Sequence, residues 1–313
     1  MSRAFVFPGQ GSQTVGMGKE LAEAFPAARD VFSEVDEALS QNLSRLMFEG
    51  PGEELTLTEN AQPALMAASL AVMRILEKEG GFSLANKAAY VAGHSLGEYS
   101  ALCAAGALTL SDTARLLRLR GLSMQKAVPV GEGAMAALLG LDFEQAQAVA
   151  EEAGQGEVCA AANDNAPGQV VVSGTKAAIE RALVIAAAKG AKRSVLLPVS
   201  APFHCALMRP AAEAMAEALS QVTVEEPAVP LIANVSARPV TAPGEIKRLL
   251  VEQVCGTVRW RESVLKMKEL GVDTLVEAGT GKVLAGLVKR IDKEMSALSL
   301  NLPADIEAFL KAN

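Results

Sequence analysis

The stretch Ala89-Tyr90-Val91-Ala92-Gly93-His94-Ser95-Leu96-Gly97-Glu98 constrains this chain more than any other. A short apolar run leads into Gly-x-Ser-x-Gly, and a helix-forming segment follows at once. This is the sequence form of a nucleophile elbow, a sharp strand-to-helix turn that lifts a serine above the edge of a sheet. Such a turn needs a buried strand before it and a helix after it, so it calls for an α/β architecture. Gly93 and Gly97 fit because side chains there would strike the serine's neighbours or block the approach of the backbone. Ser95 falls at the helix N-terminus, where free N–H groups and the dipole favour developing negative charge. The bare pattern arises often by chance; the strand before it and the helix pattern after it make Ser95 a candidate nucleophile.

At 313 residues there is room for one large domain with an insertion, or for two domains. Half of the residues are hydrophobic but only 4% are aromatic, so the core is expected to be built mainly from Ala, Leu and Val. That suits parallel strands buried on both faces. A net charge of −7 argues against nucleic acid as the main partner, since binding phosphates needs a basic surface. Cys103, Cys159, Cys205 and Cys255 lie far apart with no metal-ligand spacing. No targeting sequence is read before the first strand, so these thiols are expected to be reduced and the chain cytoplasmic. No apolar run is long enough to cross a bilayer; Ala101 to Leu110 is too short and contains Gly106.

Ala4 to Phe7 reads as a buried strand that breaks at Pro8-Gly9. The loop Gly9-Gln10-Gly11-Ser12-Gln13 follows at the strand's C-terminal end, where ligands collect in open α/β sheets. It is either an ordinary turn or one in which Gln10 lends a backbone N–H to an oxyanion hole. Thr58 is expected to cap a long helix with one apolar face, and Ser111 to cap the helix running to about Lys126. On that second helix Arg120 falls within the apolar stripe, with Leu116, Leu117, Ser123 and Met124 three and four positions away. A buried guanidinium needs an anion. Either an internal Asp or Glu supplies it, or a substrate carboxylate does, held by the bidentate fork.

Residues 128–198 have their own rhythm. Strand patterns at Ala134–Leu139, Val158–Ala162, Gln169–Ser173 and Lys192–Leu197 alternate with helix patterns at Asp142–Ala153 and Thr175–Lys189. The order β-α-β-β-α-β is that of a ferredoxin-like unit, with Asn163 to Gly168 as a turn-rich link. The expected fold is thus a hydrolase-like parallel-sheet large domain, 1–127 and 199–313, with an inserted ferredoxin-like subdomain at 128–198. After the insertion, Val199 to Cys205 reads as an extended loop between prolines. Gly279-Thr280-Gly281-Lys282 leads into a last core helix; it lacks the first part of a Walker phosphate loop.

A serine hydroxyl needs a base, usually histidine, and the chain offers only His94 and His204. His94 is Ser95's own neighbour, and adjacent residues at a helix start point apart. His204 is left. No acid stands just before it.

Gly9-Gln10-Gly11-Ser12-Gln13, Gly93-His94-Ser95-Leu96-Gly97-Glu98, Arg120-Gly121 with Met124-Gln125, Asn165 with Pro167-Gly168-Gln169, and Phe203-His204 stand in the order found in malonyl-CoA:acyl carrier protein transacylases. The chain resembles that family over nearly its whole length. The resemblance implies that Ser95 carries the malonyl group as an ester and that His204 is the base. It implies that the backbone N–H groups of Gln10 and Leu96 form an oxyanion hole and that Arg120 clamps the malonyl carboxylate. A backbone carbonyl at Gln253 would orient the histidine in place of an acid, although Val254-Cys255-Gly256 beside it departs from the commoner pattern. Met124, Phe203, Asn165 and Gln169 fall on the substrate side. The partners implied are malonyl-CoA and acyl carrier protein, with no cofactor or metal, no nucleic acid and no membrane, the chain acting as a monomer. The carrier is acidic, so Lys189, Lys192 and Arg193, or Lys282, Lys289 and Arg290, are either its docking patch or solvated faces. A serine thioesterase or esterase, an acyltransferase serving a polyketide pathway in trans, and a non-catalytic acyl-binding scaffold are the competing readings.

Overall fold

Strand β1 (Arg3–Phe7), with Ala4 to Phe7 fully buried, runs through the middle of a six-stranded sheet in the computed structural model, which describes residues 2–199 and 201–312. Ser200, part of the loop read before His204, lies outside the described residues. The other strands of this sheet are β2 (Tyr90–Gly93), β7 (Leu231–Ile232), β8 (Pro239–Val240), β9 (Thr274–Ala278) and β10 (Ser296–Leu300). Their order is β10-β9-β1-β2-β7-β8; all neighbours are parallel except the β7–β8 pair. Along β1, Phe5 and Phe7 enter the core on one face while Ala4 and Val6 enter the core on the other. Successive side chains point to opposite faces, and helices cover both, so the strand is apolar throughout.

The register sets Phe7 beside Gly93 and Val6 beside both Ala92 and Glu277. The C-terminal ends of β1, β2 and β9 therefore finish together, and the loops after them share one edge. This is where an open parallel sheet presents its ligands.

The long helix Thr58–Gly80 is buried on all sides from Asn60 to Met73 rather than along one face, because it is packed by helices Pro26–Leu39 and Leu110–Ala127 and by the elbow helix Gly97–Ala104. Leu57 takes its cap position, and the Thr58 hydroxyl instead accepts from Gln10 Nε2 at 3.3 Å. The next cap also differs from expectation. Thr109, not Ser111, accepts from the Asp112 backbone N–H at 3.1 Å, and the Ser111 hydroxyl donates to Glu34.

The second sheet consists of β3 (Gly133–Leu139), β4 (Cys159–Ala166), β5 (Gln169–Thr175) and β6 (Arg193–Leu196), ordered β4-β5-β3-β6 and antiparallel throughout. With helices Phe143–Gly154 and Lys176–Ala188 on one side it is the ferredoxin-like arrangement, with its own apolar core. One local expectation fails. Asn163, Asp164 and Asn165 are not a turn; β4 continues through them with two register shifts. Tertiary partners outweigh their turn preference. Asp164 pairs with Arg261 at 2.8 Å and its N–H donates to Val258 O, while Asn165 meets His94. These contacts fasten the small sheet to the large one. At the other end of the chain, helix Val283–Ile291 after the glycine loop is not the last core helix; β10 and helix Pro303–Lys311 follow it.

Candidate active site

Between β2 and the elbow helix the chain turns in so little space that glycine is required on both sides. A Cβ on Gly93 would come within 1.9 Å of the Gly97 backbone, and one on Gly97 within 2.2 Å of Phe7 O. Ser95 between them has φ +54°, a left-handed conformation that costs a residue with a side chain on the order of 1–3 kcal/mol. Hydrogen bonds hold it there. The His94 N–H donates to Phe7 O at 3.0 Å, and the Gly97 N–H to His94 O at 2.9 Å. From the end of β7, Asn234 accepts from the Ser95 N–H at 2.8 Å and donates to Gly93 O at 2.6 Å.

His204 approaches from the loop after the insertion, also left-handed at φ +58°. Its Nε2 lies 2.8 Å from Ser95 Oγ, and its Nδ1 lies 2.9 Å from Gln253 O. A carbonyl can only accept, so Nδ1 carries the proton and Nε2 is left as the acceptor for the serine. Burial, and next the Arg120 cation, push His204 down to about 3, so the ring is neutral at ordinary pH. His94 turns elsewhere. Its Nε2 is 2.8 Å from Asn165 Oδ1, and its ring lies against Trp260.

Arg120 is 1% exposed. Its Nη1 donates to Gln62 Oε1 at 2.9 Å; its Nη2 donates to Gln253 Oε1 at 2.8 Å and to Ser95 Oγ at 3.1 Å. The guanidinium sits over the Tyr99 ring, 5.8 Å from the centroid. Among the described residues no Asp or Glu forms an ion pair with it, so the internal-partner reading is not realised. A buried cation held only by neutral acceptors favours an incoming anion.

These groups open on a cavity of about 360 Å³, walled by Met124, Met135 and Phe203 around Ser95, Arg120 and His204. Gln10 and Leu96 also line it, and neither backbone N–H has a hydrogen-bond partner among the described residues. A larger surface groove of about 730 Å³, walled by Arg248, Arg259, Glu262 and Lys266 among others, touches neither Ser95 nor His204. Two expected residues stand back. Asn165 holds His94 and is not part of the cavity wall; Gln169 is at the start of β5, where its side chain accepts from Arg290. The basic clusters are partly spoken for as well, since Lys189 pairs with Glu152 and Lys289 donates to Met295 O.

The sequence reading passed over Asn234, Gln62 and Glu98. Asn234 follows a two-residue strand, and Gln62 lies within a helix, so neither carries a local signal. Glu98 is visible in the elbow motif as an acid in the first turn of a helix, an ordinary place for one. It is 1% exposed, and burial pushes its carboxyl up to about 8 against the pull of its hydrogen bonds. Among the described residues no cluster of three or more His, Cys, Asp or Glu side chains could hold a metal ion.

A family profile described as an acyl transferase domain matches residues 4–300. The chain is 49% identical over 309 residues to a malonyl CoA-acyl carrier protein transacylase of Bacillus subtilis, covering 98% of this chain and 96% of that one. It is 47% identical over 308 residues to the protein of the same description from Escherichia coli K12, covering 98% of each. The crystal structure of an acyl-carrier-protein-S-malonyltransferase from Bartonella henselae superposes with a TM-score of 0.97 at 57% identity, covering 100% of this chain and 99% of the other.

Proposed function

This chain belongs to the malonyl-CoA:acyl carrier protein transacylases, and from that premise we propose a role for each group in its site. The enzyme moves malonyl from malonyl-CoA to the pantetheine thiol of acyl carrier protein, by way of an ester on a serine, in fatty acid biosynthesis. Malonyl-CoA is a substrate, and the transfer uses no further cofactor.

Ser95 is the nucleophile. As Oγ attacks the thioester carbonyl, its proton passes to His204 Nε2, and the Nδ1–H bond to Gln253 O steadies the imidazolium that forms. The tetrahedral oxyanion is received by the N–H groups of Gln10 and Leu96. Loss of one such donor costs on the order of 10²–10³ in rate. Collapse breaks the C–S bond, and the departing CoA sulfur takes the proton from His204. In the second half the carrier thiol gives its proton to His204 and attacks the ester, and Ser95 Oγ leaves with that proton.

Arg120 selects the acyl group. In malonyl the free carboxylate is one carbon from the reacting carbonyl, so its cation must stand close to the nucleophile. The 3.1 Å from Arg120 Nη2 to Ser95 Oγ supports that placement, and this one distance carries the reading. Met124 and Phe203 shape the apolar wall around the acyl chain. We infer that 128–198 works as an inserted subdomain closing the cavity on 1–127 and 199–313, since Met135, Asn163 and Leu197 contribute to its wall. We also infer a monomer without nucleic acid or membrane as partner; the net charge of −7 disfavours binding to a phosphate backbone. Among the described residues no helix is long and apolar enough to cross a bilayer.

Incubation with malonyl-CoA followed by mass measurement tests this. The wild type gains one malonyl group on the Ser95 peptide, which is discharged on adding acyl carrier protein; Ser95→Ala gains none. A label on another peptide displaces the assignment, turnover without carrier makes the protein a hydrolase, and no label at all makes it a binder.

A further inference from the structure

Gln253 is the residue on which the site converges. Its backbone carbonyl accepts from His204, and its side-chain Oε1 accepts from Arg120. Its Nε2 donates to Ser95 O at 2.8 Å and approaches Asn234 Oδ1 at 3.3 Å. The shortest of its contacts goes to a group with no part in the steps above: Nε2 donates to Glu98 Oε2 at 2.6 Å. Glu98 is fixed from the other side, where the Asn234 N–H points at Oε1 at 3.4 Å.

A primary amide has two ends that differ only in hydrogen bonding. Turned over, Gln253 would aim its NH₂ at the Arg120 guanidinium, donor against donor, and its oxygen at the acceptors that now receive its protons. The way round that it sits decides whether Nη2 of Arg120 is held beside Ser95 Oγ. We propose that Glu98 is a positioning residue for acyl-group selection: its carboxyl oxygen fixes the Gln253 amide, and the amide aims the guanidinium at the carboxylate end of the acyl group. The proposal rests on the malonyl-transfer reading above. It explains why a buried acid occupies the first turn of the elbow helix without touching Arg120. Direct contact would pair the guanidinium with an internal acid, whereas one amide between them leaves it with neutral acceptors and its charge unpaired.

Two substitutions separate the reach of the acceptor from the ionisable carboxyl. Glu98→Gln keeps an acceptor oxygen at the same reach for Gln253 Nε2 and removes the ionisable group, its NH₂ taking the side of the longer 3.4 Å Asn234 contact. Glu98→Asp keeps the carboxyl and withdraws the acceptor by one methylene, about 1.5 Å. The readout is kcat/KM for Ser95 acylation by malonyl-CoA relative to acetyl-CoA, which has no carboxylate to aim at. Glu98→Asp is expected to lower that ratio about tenfold, the worth of a buried hydrogen bond at its stronger end, whereas Glu98→Gln holds it within about threefold. Equal losses for both acyl groups in Glu98→Asp would mean a merely structural acid and would overturn the proposal. So would the reverse pattern, with Asp retaining the ratio and Gln losing it, since that assigns the effect to the carboxyl group itself and not to its reach. Melting curves identify a variant that does not fold; the other then decides, by the retained ratio in Gln or the lost ratio in Asp. Failure of the wild type to acylate at all strikes the malonyl-transfer reading instead.

Discussion

Replacing Arg120 by alanine removes the cation that faces Ser95, and its cost can be estimated. A malonyl carboxylate about 4 Å from the guanidinium, at an effective dielectric of about 20, gains about 4 kcal/mol. Desolvation of the carboxylate takes back part of this, leaving about 2–4 kcal/mol, or roughly 30- to 1000-fold in kcat/KM for malonyl-CoA. Acetyl-CoA has no such group. It suffers only the general damage, because Gln62 Oε1 and Gln253 Oε1 lose their donors and Ser95 Oγ loses one of its two partners. Each orphaned buried acceptor costs about 1–3 kcal/mol of stability. The assay is single-turnover acylation of Ser95 by each acyl-CoA, followed by mass measurement, with Arg120→Lys beside it. Lysine restores a charge without the fork, so it should recover only part of the malonyl rate. Equal losses for malonyl and acetyl would refute the carboxylate role.

Gly97→Ala should lower stability by several kcal/mol, because its Cβ would press within 2.2 Å of Phe7 O and that backbone is tied into β1; a denaturation midpoint equal to wild type would contradict the crowding. With acetyl-CoA as donor, kcat/KM should show no acid limb near 6.5, because His204 is pushed down to about 3; a limb at 6–7 would mean an exposed or ion-paired imidazole. The same depression makes stability pH-dependent with a definite sign. The unfolded chain takes up a proton near 6.5 that the native ring refuses, so this contribution is complete above 6.5 and falls as pH drops toward 3. Relative to His204→Asn, wild type should therefore lose about 2 kcal/mol between neutral pH and pH 5, read from urea melts at both pH values. A constant difference would place the imidazole in contact with solvent.

The elbow was legible because its constraint is local. Gly93, Ser95 and Gly97 are close in sequence, and the crowding that demands the glycines comes from a turn they form themselves. The ferredoxin-like unit was legible for a related reason, since its strands and helices alternate at short range and hairpin-like pairs need little information from elsewhere. Asn163 to Asn165 went the other way: their turn preference is real, but Arg261, Val258 and His94 reach them from distant parts of the chain and make them a bulged edge strand. Arg120 shows the boundary between the two cases. Its helical spacing announced a buried guanidinium, yet spacing on one helix cannot say what meets it. The answer lay in Gln62, Ser95 and Gln253, which the parallel sheet and its crossing helices bring together from separate elements. All three are neutral, and that is the decisive point. Had one been an aspartate, the cation would be satisfied and the cavity would have no charge to offer. Because the nearest buried acid, Glu98, is set one amide away, the guanidinium remains charged and available beside the nucleophile.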